Sequence, residues 1–311
     1  MSADLPNLGP PPTPSASRAI HSPAPRERAP EGIDPSTANV ARMYDYFLGG
    51  KDNYQIDRDT AERTLKKIPE LRDTARANRN FLGRAVTALA EEGIDQFLDF
   101  GSGLPTQSNV HEIAQQVNPD VSVVYVDMDV QVACHGRALL ASDHRTSMVQ
   151  ADIRDMRWIL AMPEVTALID FDRPVAMLMV AVLHFLPDDD QVAAIVDTAR
   201  EHMADGSRLV LSHGSDQDLP PGLVSEGLKI YNGNSNAPMT LRDSERLQAL
   251  LPDWTWADPP GRIVPVSDWR SDEVTARLDA TRAKIIGGVA IPPPHQPTPT
   301  THPGHNGSSM T

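Results

Sequence analysis

The chain has 311 residues, with 42 acidic and 28 basic side chains and a formal net charge of -14 at pH 7. The acidic excess disfavours a nucleic-acid substrate, and the single cysteine, Cys134, excludes an internal disulfide and a zinc site built from several cysteines. The longest apolar run, Val175 to Leu183, is too short to span a membrane, and the chain opens without the apolar segment of a secretory signal. We therefore expect a cytoplasmic protein that binds neither membrane nor nucleic acid.

Composition divides the chain into three segments. Residues 1–35 and 289–311 are rich in proline and lack periodic apolar positions, so neither could offset its ordering entropy by burying apolar surface. They are predicted to be disordered tails on either side of one folded domain, residues 36–288. Within this domain we predict a helical N-terminal cap at 36–92 and a core at 93–288.

The cap is predicted to contain three helices. Apolar residues recur there at helical spacing, and Gly49-Gly50, Pro69 and Gly93 interrupt the pattern. The predicted helical ranges are 37–47, 55–69 and 70–92.

The core alternates short strands with helices, which is typical of a doubly wound α/β fold with a mostly parallel sheet. The predicted strands are 97–100, 121–126, 147–150, 175–180 and 208–212. The predicted crossover helices are 110–117, 130–140, 156–168 and 191–203. Two further helical pieces are expected near 223–231 and 241–251, followed by two short strands at about 254–257 and 263–266, which would form a hairpin at one sheet edge.

The turn after the first core strand is the most informative motif. Phe97 to Phe100 runs into Gly101-Ser102-Gly103, where two glycines allow a ligand to approach the backbone closely. A dinucleotide fingerprint requires a third glycine or alanine, but Thr106 occupies that position, and no Gly-Lys-Ser/Thr of a phosphate-binding loop follows. This pattern favours S-adenosylmethionine, a ligand that requires close backbone approach but no pyrophosphate cradle.

The ends of the next two strands carry the other residues that such a ligand requires. Asp127 ends the second strand and can accept hydrogen bonds from both ribose hydroxyls. Met128 and Ile153 can cover the two faces of the adenine, and Asp152 follows the third strand and can accept from the adenine amine. Each residue also has a purely structural alternative, because Asp127 and Asp152 could cap the helices that follow them. Their occurrence in order at successive strand ends favours the cofactor site, and we also assign Asp99, Gly101, Ser102 and Gly103 to it.

The sequence resembles a family of class I S-adenosylmethionine-dependent methyltransferases that is common in actinobacteria and was first catalogued as a domain of unknown function. The segments that carry this resemblance are Asn39 to Tyr54, Ala77 to Leu82, Gln96 to Thr106, Val124 to Asp127, Arg137 to Leu140, Val182 to Phe185, Leu211 to His213 and Trp269-Arg270. The resemblance implies a seven-stranded Rossmann-like sheet whose last strand is antiparallel. The chain departs from the family at one point, where Asp127-Met128-Asp129-Val130 replaces the usual Asp-Asn-Asp-Pro.

Methyl transfer requires that acceptor and methyl group be held in line and that water be kept out. His184, at the carboxyl end of the fourth strand, is the predicted general base; a structural histidine bonded to the backbone is the alternative. Tyr44 is the second catalytic candidate, and Asn78 and Arg79 could reach the methionine carboxylate. His213 and Tyr231 are weaker candidates on the acceptor side.

The polar and aromatic block around Gly49-Gly50 is predicted to act as a lid that closes over the cofactor on a glycine hinge. Its side chains are Tyr44, Asp45, Tyr46, Lys51, Asn53 and Tyr54. The structural alternative is a helix end followed by a solvated turn.

The leading functional hypothesis is a methyltransferase that acts on a small-molecule acceptor, uses S-adenosylmethionine as its cofactor and requires no metal. The alternative is a regulatory protein that binds S-adenosylmethionine without transferring its methyl group. An oxidoreductase that uses NAD is a third possibility, weakened by the missing third glycine.

Overall fold

The computed structural model describes residues 33–105, 108–140, 144–233, 235–271 and 284–294. The disorder predicted for the two tails falls mainly outside these residues. Elements and contacts below refer to the described residues.

Three helices form the N-terminal cap, as the sequence predicts. They are α1 (Val40–Leu48), α2 (Gln55–Leu65) and α3 (Leu71–Glu91). The Asn39 side chain begins α1 by accepting hydrogen bonds from the backbone N–H groups of Ala41 and Arg42. The cap therefore follows the helical periodicity of its sequence, with boundaries shifted by a few residues.

Five parallel strands form most of the central sheet and lie where the alternating pattern predicts them. They are β1 (Gln96–Phe100), β2 (Ser122–Asp127), β3 (Thr146–Gln150), β4 (Ala176–Val180) and β5 (Arg208–Ser215). Helices α4 (Val110–Val117), α5 (Val130–Leu140) and α8 (Asp189–Arg200) cross between them. Helix packing on both faces confirms the doubly wound α/β fold.

One predicted crossover helix is wrong in detail. The range 156–168 is broken into α6 (Met156–Leu160) and α7 (Pro163–Thr166). Pro163 has no backbone N–H to continue the first helix, and it occupies the first turn of the second, where that missing donor costs nothing.

The far edge of the sheet differs from the predicted hairpin. After α9 (Pro221–Asn232) and α10 (Ser244–Ala249), the chain forms β6 (Thr255–Asp258), β7 (Val264–Pro265) and β8 (Lys284–Ile291). Both β6 and β7 pair with β8 rather than with each other. The hairpin prediction fails because β8, which the strand pattern missed, lies next to β5 and supplies the edge that both short strands use.

The strand order is β3-β2-β1-β4-β5-β8-β6, and β7 pairs with β8 off this path. Strand β8 is antiparallel to β5, as the family resemblance implies, and the two-residue β7 adds an eighth strand to the expected seven. Strand β8 also continues to Ile291, three residues beyond the predicted domain boundary, and Val289 and Ala290 within it are buried. Because β1 and β4 are neighbours while the chain winds outward from both, a crevice forms at their carboxyl ends.

Alternate residues of the strands enter two large apolar cores, one on each face of the sheet. In β1, Leu98 and Phe100 pack into one core and Phe97 into the other. A third, smaller cluster lies within the cap and includes Met43, Phe47 and Tyr231 of α9. The cap is thus fastened to α9 by apolar packing. Among the described residues, the longest apolar helical stretches fall short of a bilayer-spanning length.

Candidate active site

A cavity of about 900 Å³ lies at the carboxyl ends of the parallel strands, beneath the cap. Every residue predicted for cofactor binding or catalysis lines it: Tyr44, Asn78, Arg79, Asp99, Gly101, Ser102, Gly103, Asp127, Met128, Asp152, Ile153 and His184. Tyr231 also lines the cavity, whereas His213 is fully buried and is absent from its lining. The strand ends therefore converge on one space, as the order of the motifs predicts.

The turn after β1 depends on its two glycines. Gly101 and Gly103 have φ angles of +69° and +68°, in the left-handed region that side chains with a Cβ rarely adopt. A Cβ on Gly101 would also lie 2.5 Å from the Val182 side chain, so this position has no room for one. A Cβ on Gly103 would meet nothing within 4 Å, which leaves its backbone open to close approach by a ligand.

Asp127 links this turn to the end of β2. Its Oδ2 accepts a hydrogen bond of 2.9 Å from the Gly103 N–H, and its Oδ1 accepts one of 2.9 Å from the Asp129 N–H. Each carboxylate oxygen keeps a further lone pair, so both can still accept from a ribose diol. Burial raises the pKa of Asp127 to about 6, against the opposing effect of the backbone donors.

Asp99, near the end of β1, has a pKa that is raised further than that of Asp127. It is 4% exposed, and its carboxylate accepts no hydrogen bond within the described part of the chain. Burial raises its pKa to about 7, with the charge of Arg79 lowering it and the charge of Asp127 raising it. Arg79 donates from Nη2 to the Ser108 carbonyl at 2.9 Å, while its buried Nε has no partner among the described residues. Asp99 and Arg79 thus both line the cavity, and among the described residues each keeps an unpaired polar group.

At the end of β3, the Asp152 carboxylate is already engaged by a neighbouring side chain. The Asp152 side chain accepts from the Arg154 N–H at 3.0 Å and also pairs with the Arg154 guanidinium, which lowers its pKa. Asp152 therefore caps the short 3-10 turn that follows β3, which is the structural alternative for this residue. Ile153 is buried in the core with its edge on the cavity, and Met128 is 61% exposed at the rim.

Asn78 and Tyr44 belong to one hydrogen-bond chain. Ser212 of β5 donates from its hydroxyl to Asn78 Oδ1 at 2.6 Å, and Asn78 Nδ2 donates to the Tyr44 hydroxyl at 3.1 Å. Tyr44 in turn donates to the Ala75 carbonyl at 3.1 Å, and burial raises its pKa. These contacts fix α1 and α3 to the sheet. They leave Tyr44, the second catalytic candidate, as a protonated phenol at neutral pH with its hydroxyl engaged inside the protein.

His184 lies in a 3-10 turn, Leu183–Phe185, directly after β4 and is 4% exposed. Its Nδ1 accepts a hydrogen bond of 3.2 Å from the Gly214 N–H, so the neutral ring carries its proton on Nε2. Burial lowers its pKa well below the usual value, and the neighbouring His213 and Arg242 lower it further. A general base would need the lone pair that Gly214 already uses, so the contact to the backbone matches the structural alternative rather than the predicted base.

A buried polar network that no sequence motif predicts supports the turn that carries His184. Arg242 has no exposed surface, and its guanidinium donates to the Leu186 carbonyl at 2.8 Å and to His213 Nε2 at 3.0 Å. His213 donates from Nδ1 to the Gly214 carbonyl at 2.7 Å. Asp189, whose side chain is 34% exposed, forms an ion pair of 2.8 Å with the buried Arg242 guanidinium. Arg242 therefore holds the turn after β4 and the backbone of Gly214 together.

The polar block at the end of α1 makes contacts within the cap. Gly49 is the left-handed C-cap of α1, and a Cβ on Gly50 would fall 1.9 Å from the Asp45 carboxylate. Asp45 accepts from the Asp52 N–H at 3.0 Å and from Asn53 Nδ2 at 2.8 Å. The glycine pair thus forms a tightly packed turn, a geometry that favours a fixed cap over the predicted hinge.

The remaining side chains of this block lie away from the cavity. Tyr46 donates to Glu62 at 2.6 Å, Lys51 is exposed, and Tyr54 begins α2. Of the six residues predicted for the lid, only Tyr44 lines the cavity.

The cap is tied directly to the cofactor end of the cavity. Asn39 Nδ2 donates to Asp129 Oδ2 at 2.6 Å, and Gln131 Nε2 donates to the Asp52 carbonyl at 3.2 Å. These bonds join both ends of α1 to the segment that follows β2. The described residues contain no cluster of three or more His, Cys, Asp or Glu side chains able to hold a metal ion.

Comparison with known families identifies the class of protein that shares this arrangement. The profile of a family described as S-adenosyl methyltransferase matches residues 26–293. No curated protein matches the chain.

Two solved structures are similar over most of the chain. One, a candidate methyltransferase from Thermobifida fusca YX, is 41% identical with a TM-score of 0.78, and the match covers 85% of this chain and 98% of that one. The other, a DUF574 family protein from Streptomyces avermitilis MA-4680, is 39% identical with a TM-score of 0.78, covering 84% of this chain and 99% of that one. These matches confirm the resemblance found in the sequence, including its link to a domain once catalogued without a function.

Proposed function

Because the chain belongs to the family of S-adenosyl methyltransferases, we propose that it transfers the methyl group of S-adenosylmethionine to a small-molecule acceptor by in-line displacement. The observation that carries this proposal is the convergence of Gly101, Asp99, Asp127 and His184 on one cavity. Small-molecule sites typically occupy roughly 300 to 1,000 Å³. A cavity of about 900 Å³ lies at the upper end of that range, which leaves room for the cofactor together with one acceptor.

The residues at the strand ends fit S-adenosylmethionine. Asp127 offers two carboxylate oxygens to the ribose hydroxyls, and the open backbone of Gly103 permits a close approach. Within the described ranges the Asp99 carboxylate accepts no hydrogen bond and Arg79 Nε has no partner, so a group that is both cationic and anionic would satisfy the two together. The amino-acid end of the cofactor has that character, and we assign Asp99 to its ammonium and Arg79 to its carboxylate.

The adenine contacts follow from the other two strand ends. Met128 at the rim and Ile153 at the edge of the core are placed to cover the adenine faces. Asp152 could accept from the adenine amine through a lone pair that Arg154 does not use, or after Arg154 moves. Asn78, whose Oδ1 is already engaged by Ser212, retains one N–H for the methionine carboxylate.

The sulfonium supplies an activated methyl group and a good leaving group, so the protein's task is to orient the acceptor and exclude water. Cap residues including Tyr44 and Phe47 close the cavity on the side away from the sheet. His184 borders the cavity as a neutral ring with its proton on Nε2, and we assign it to orient the acceptor as a hydrogen-bond donor.

The test combines binding with turnover. Calorimetry with S-adenosylmethionine and S-adenosylhomocysteine should give saturable binding at one site per chain, and the absence of binding would refute the proposal. The pure protein incubated with methyl-labelled cofactor and a metabolite extract should then transfer label to a compound of low molecular mass.

A regulatory protein that binds the cofactor without transferring its methyl group is the second candidate. The occupied lone pair of His184 favours it, because a site without a free base suits only some acceptors. An extract that remains unlabelled at saturating cofactor would support this alternative.

A further inference from the structure

The half of the cavity away from the strand-end carboxylates is apolar. Phe47, Leu71, Phe185, Tyr231 and Met239 line the cavity and also belong to the apolar cluster of the cap. We name the space beside these five residues the acceptor chamber. His184 borders this chamber, because the His184 ring lies 4.4 Å from the Phe185 ring. The backbone carbonyl of His184 also accepts a hydrogen bond of 2.7 Å from the Thr240 N–H.

The described residues leave no cation free for an anionic acceptor. The cations that line the cavity are Arg42, Arg79, Arg154 and Lys284. Arg42 pairs with Asp57 at 2.7 Å, Lys284 with Asp218 at 3.0 Å, and Arg154 with Asp152. Arg79 has no ion pair among the described residues, but the proposed function assigns it to the cofactor carboxylate, so it is not available to an acceptor. An anion in the acceptor chamber would therefore lose its hydration without gaining an ion pair.

The titratable groups at the chamber are not arranged to remove a proton. The Nδ1 lone pair of His184 is held by the Gly214 N–H. The Tyr44 hydroxyl lies between Asn78 and the Ala75 carbonyl. Burial raises the pKa of Tyr231, so it too is protonated at neutral pH. A hydroxyl or ammonium acceptor, which must lose a proton to react, would find no base at these groups.

Tyr231 supplies the observation that points to a ligand. It is 9% exposed, lines the cavity, and its hydroxyl has no hydrogen-bond partner among the described residues. This hydroxyl is not among the fully buried polar atoms that lack a partner, so it is accessible from the cavity and can donate a hydrogen bond there. An acceptor molecule with one hydrogen-bond acceptor atom at this point would satisfy it.

We propose that the methyl acceptor is an uncharged, largely apolar ring compound whose nucleophile is a nitrogen with a free lone pair, held by a hydrogen bond from the Tyr231 hydroxyl to a second polar atom. This inference rests on the proposed methyl transfer. The nitrogen lone pair forms the new N–C bond, the C–S bond breaks, and its electron pair stays on sulfur. The positive charge passes from sulfur to nitrogen, and no proton needs to leave before transfer.

Three probes of similar size test the chemistry of the chamber by calorimetry on protein saturated with S-adenosylhomocysteine. They are 6-methoxyquinoline, 6-methoxy-1-naphthol and quinoline-6-carboxylate. The two uncharged probes should bind, and the carboxylate should bind at least tenfold more weakly than 6-methoxyquinoline. Equal or tighter binding of the carboxylate, or no binding of 6-methoxyquinoline, would overturn the proposal.

A methyl-transfer assay distinguishes nitrogen acceptors from hydroxyl acceptors. With labelled S-adenosylmethionine, mass spectrometry should detect the N-methylquinolinium product from 6-methoxyquinoline and no methyl ether from the naphthol. Methylation of the naphthol, or of neither probe, counts against the assignment of a nitrogen nucleophile.

Matched tyrosine variants test the proposed hydrogen bond. Tyr231→Phe should weaken 6-methoxyquinoline binding by about three- to tenfold, the usual range for one neutral hydrogen bond, and leave quinoline binding unchanged. Tyr46→Phe is the control, since this tyrosine of the cap bonds to Glu62 outside the cavity lining. Equal effects of the two variants would remove Tyr231 from the proposal. Binding of S-adenosylhomocysteine to each variant shows separately whether the cofactor site, and with it the proposed function, has failed.

Discussion

The two halves of the cavity are built in different ways. The cofactor half consists of strand ends, where Gly103 and Asp127 are only 24 residues apart and joined by one hydrogen bond. The acceptor half is assembled from α1, the start of α3, the turn after β4, and α9, which are distant in sequence. It depends on a buried cation, Arg242, that touches neither half of the cavity directly. Under the proposed function, cofactor binding and acceptor specificity therefore rest on separate sets of contacts and should fail separately.

The largest effect should come from Arg242→Met. This change leaves the Leu186 carbonyl and His213 Nε2 without their buried donor, so we expect the free energy of unfolding to fall by about 3 kcal/mol. Urea denaturation measures this loss. Arg246→Met is the control, because Arg246 pairs with the same Asp189 but is half exposed, and its loss should cost less than about 1 kcal/mol.

The same variant tests whether the two halves of the cavity are energetically independent. If the two halves are separate, folded Arg242→Met protein should bind S-adenosylhomocysteine within about threefold of the original affinity. A tenfold loss of cofactor affinity in the folded variant would mean that the halves are coupled.

The next effect concerns the cofactor half alone. Asp127→Ala removes both acceptors for the ribose diol and also releases the Gly103 N–H, so we expect cofactor affinity to fall about 100-fold, the loss of two charge-assisted hydrogen bonds. Asp127→Asn keeps the shape and one oxygen acceptor, and its loss should be smaller. Calorimetry with S-adenosylhomocysteine measures both, and an unchanged affinity in Asp127→Ala would exclude this residue from the site.

His184→Phe tests the link between the turn after β4 and β5. The Gly214 N–H would lose its acceptor, so we expect a loss of about 1 to 2 kcal/mol in the free energy of unfolding. His184→Asn, whose Oδ1 lies close to the position of the imidazole Nδ1, should recover part of it. Nitrogen NMR of the unchanged protein should find His184 neutral, with its proton on Nε2, throughout pH 5.5 to 8. A titration of this ring within that range would restore the general-base hypothesis.

The smallest effect is a pH dependence of cofactor binding. The pKa of Asp99 is raised to about 7, so roughly a tenth of this group is ionised at pH 6 and nine tenths at pH 8. If the ionised form holds the cofactor ammonium, affinity should rise about tenfold across this range. Asp99→Asn should bind more weakly at pH 8 and should keep only about a twofold rise, which comes from Asp127 with its pKa of about 6.

The stability of the free protein should change in the opposite direction. The raised pKa values of Asp99 and Asp127 mean that the folded protein holds these protons more tightly than the unfolded chain. Their contribution to stability is present below about pH 4 and is lost as pH rises through 6 to 7. Thermal unfolding of the original protein and of Asp99→Asn across this range would detect the part that Asp99 contributes, and identical curves would contradict the assignment.

The cofactor site was largely predictable because its signals are local. Strand ends at one sheet edge must converge in a parallel fold, so Gly101, Asp127 and Asp152 could be brought together from their order alone. The capping of the next turn by Asp152 was predictable as an alternative for the same local reason, whereas its ion pair with Arg154 was not predicted.

Other features depended on contacts that the linear pattern does not contain. Strand β8 was missed because Gly287 and Gly288 interrupt its apolar run, although a Cβ at Gly287 would fall 2.5 Å from the Leu211 carbonyl. The hinge predicted at Gly49-Gly50 rested on composition, whereas the position of Asp45 against Gly50 fixes a packed turn. His184 was placed correctly at the cavity, but its protonation follows from Gly214, thirty residues away.

The sequence by itself therefore determined the α/β class, the cap, the parallel order of strands and the residues that line the cavity at the strand ends, because short-range periodicity and strand-end position specify them. Only the tertiary structure decided what lies opposite the methyl group. The tautomer of His184, the buried support of Arg242 and the Tyr231 hydroxyl, unpaired within the part of the chain that the structure describes, arise where segments far apart in the chain pack together. No spacing along the chain encodes that packing directly.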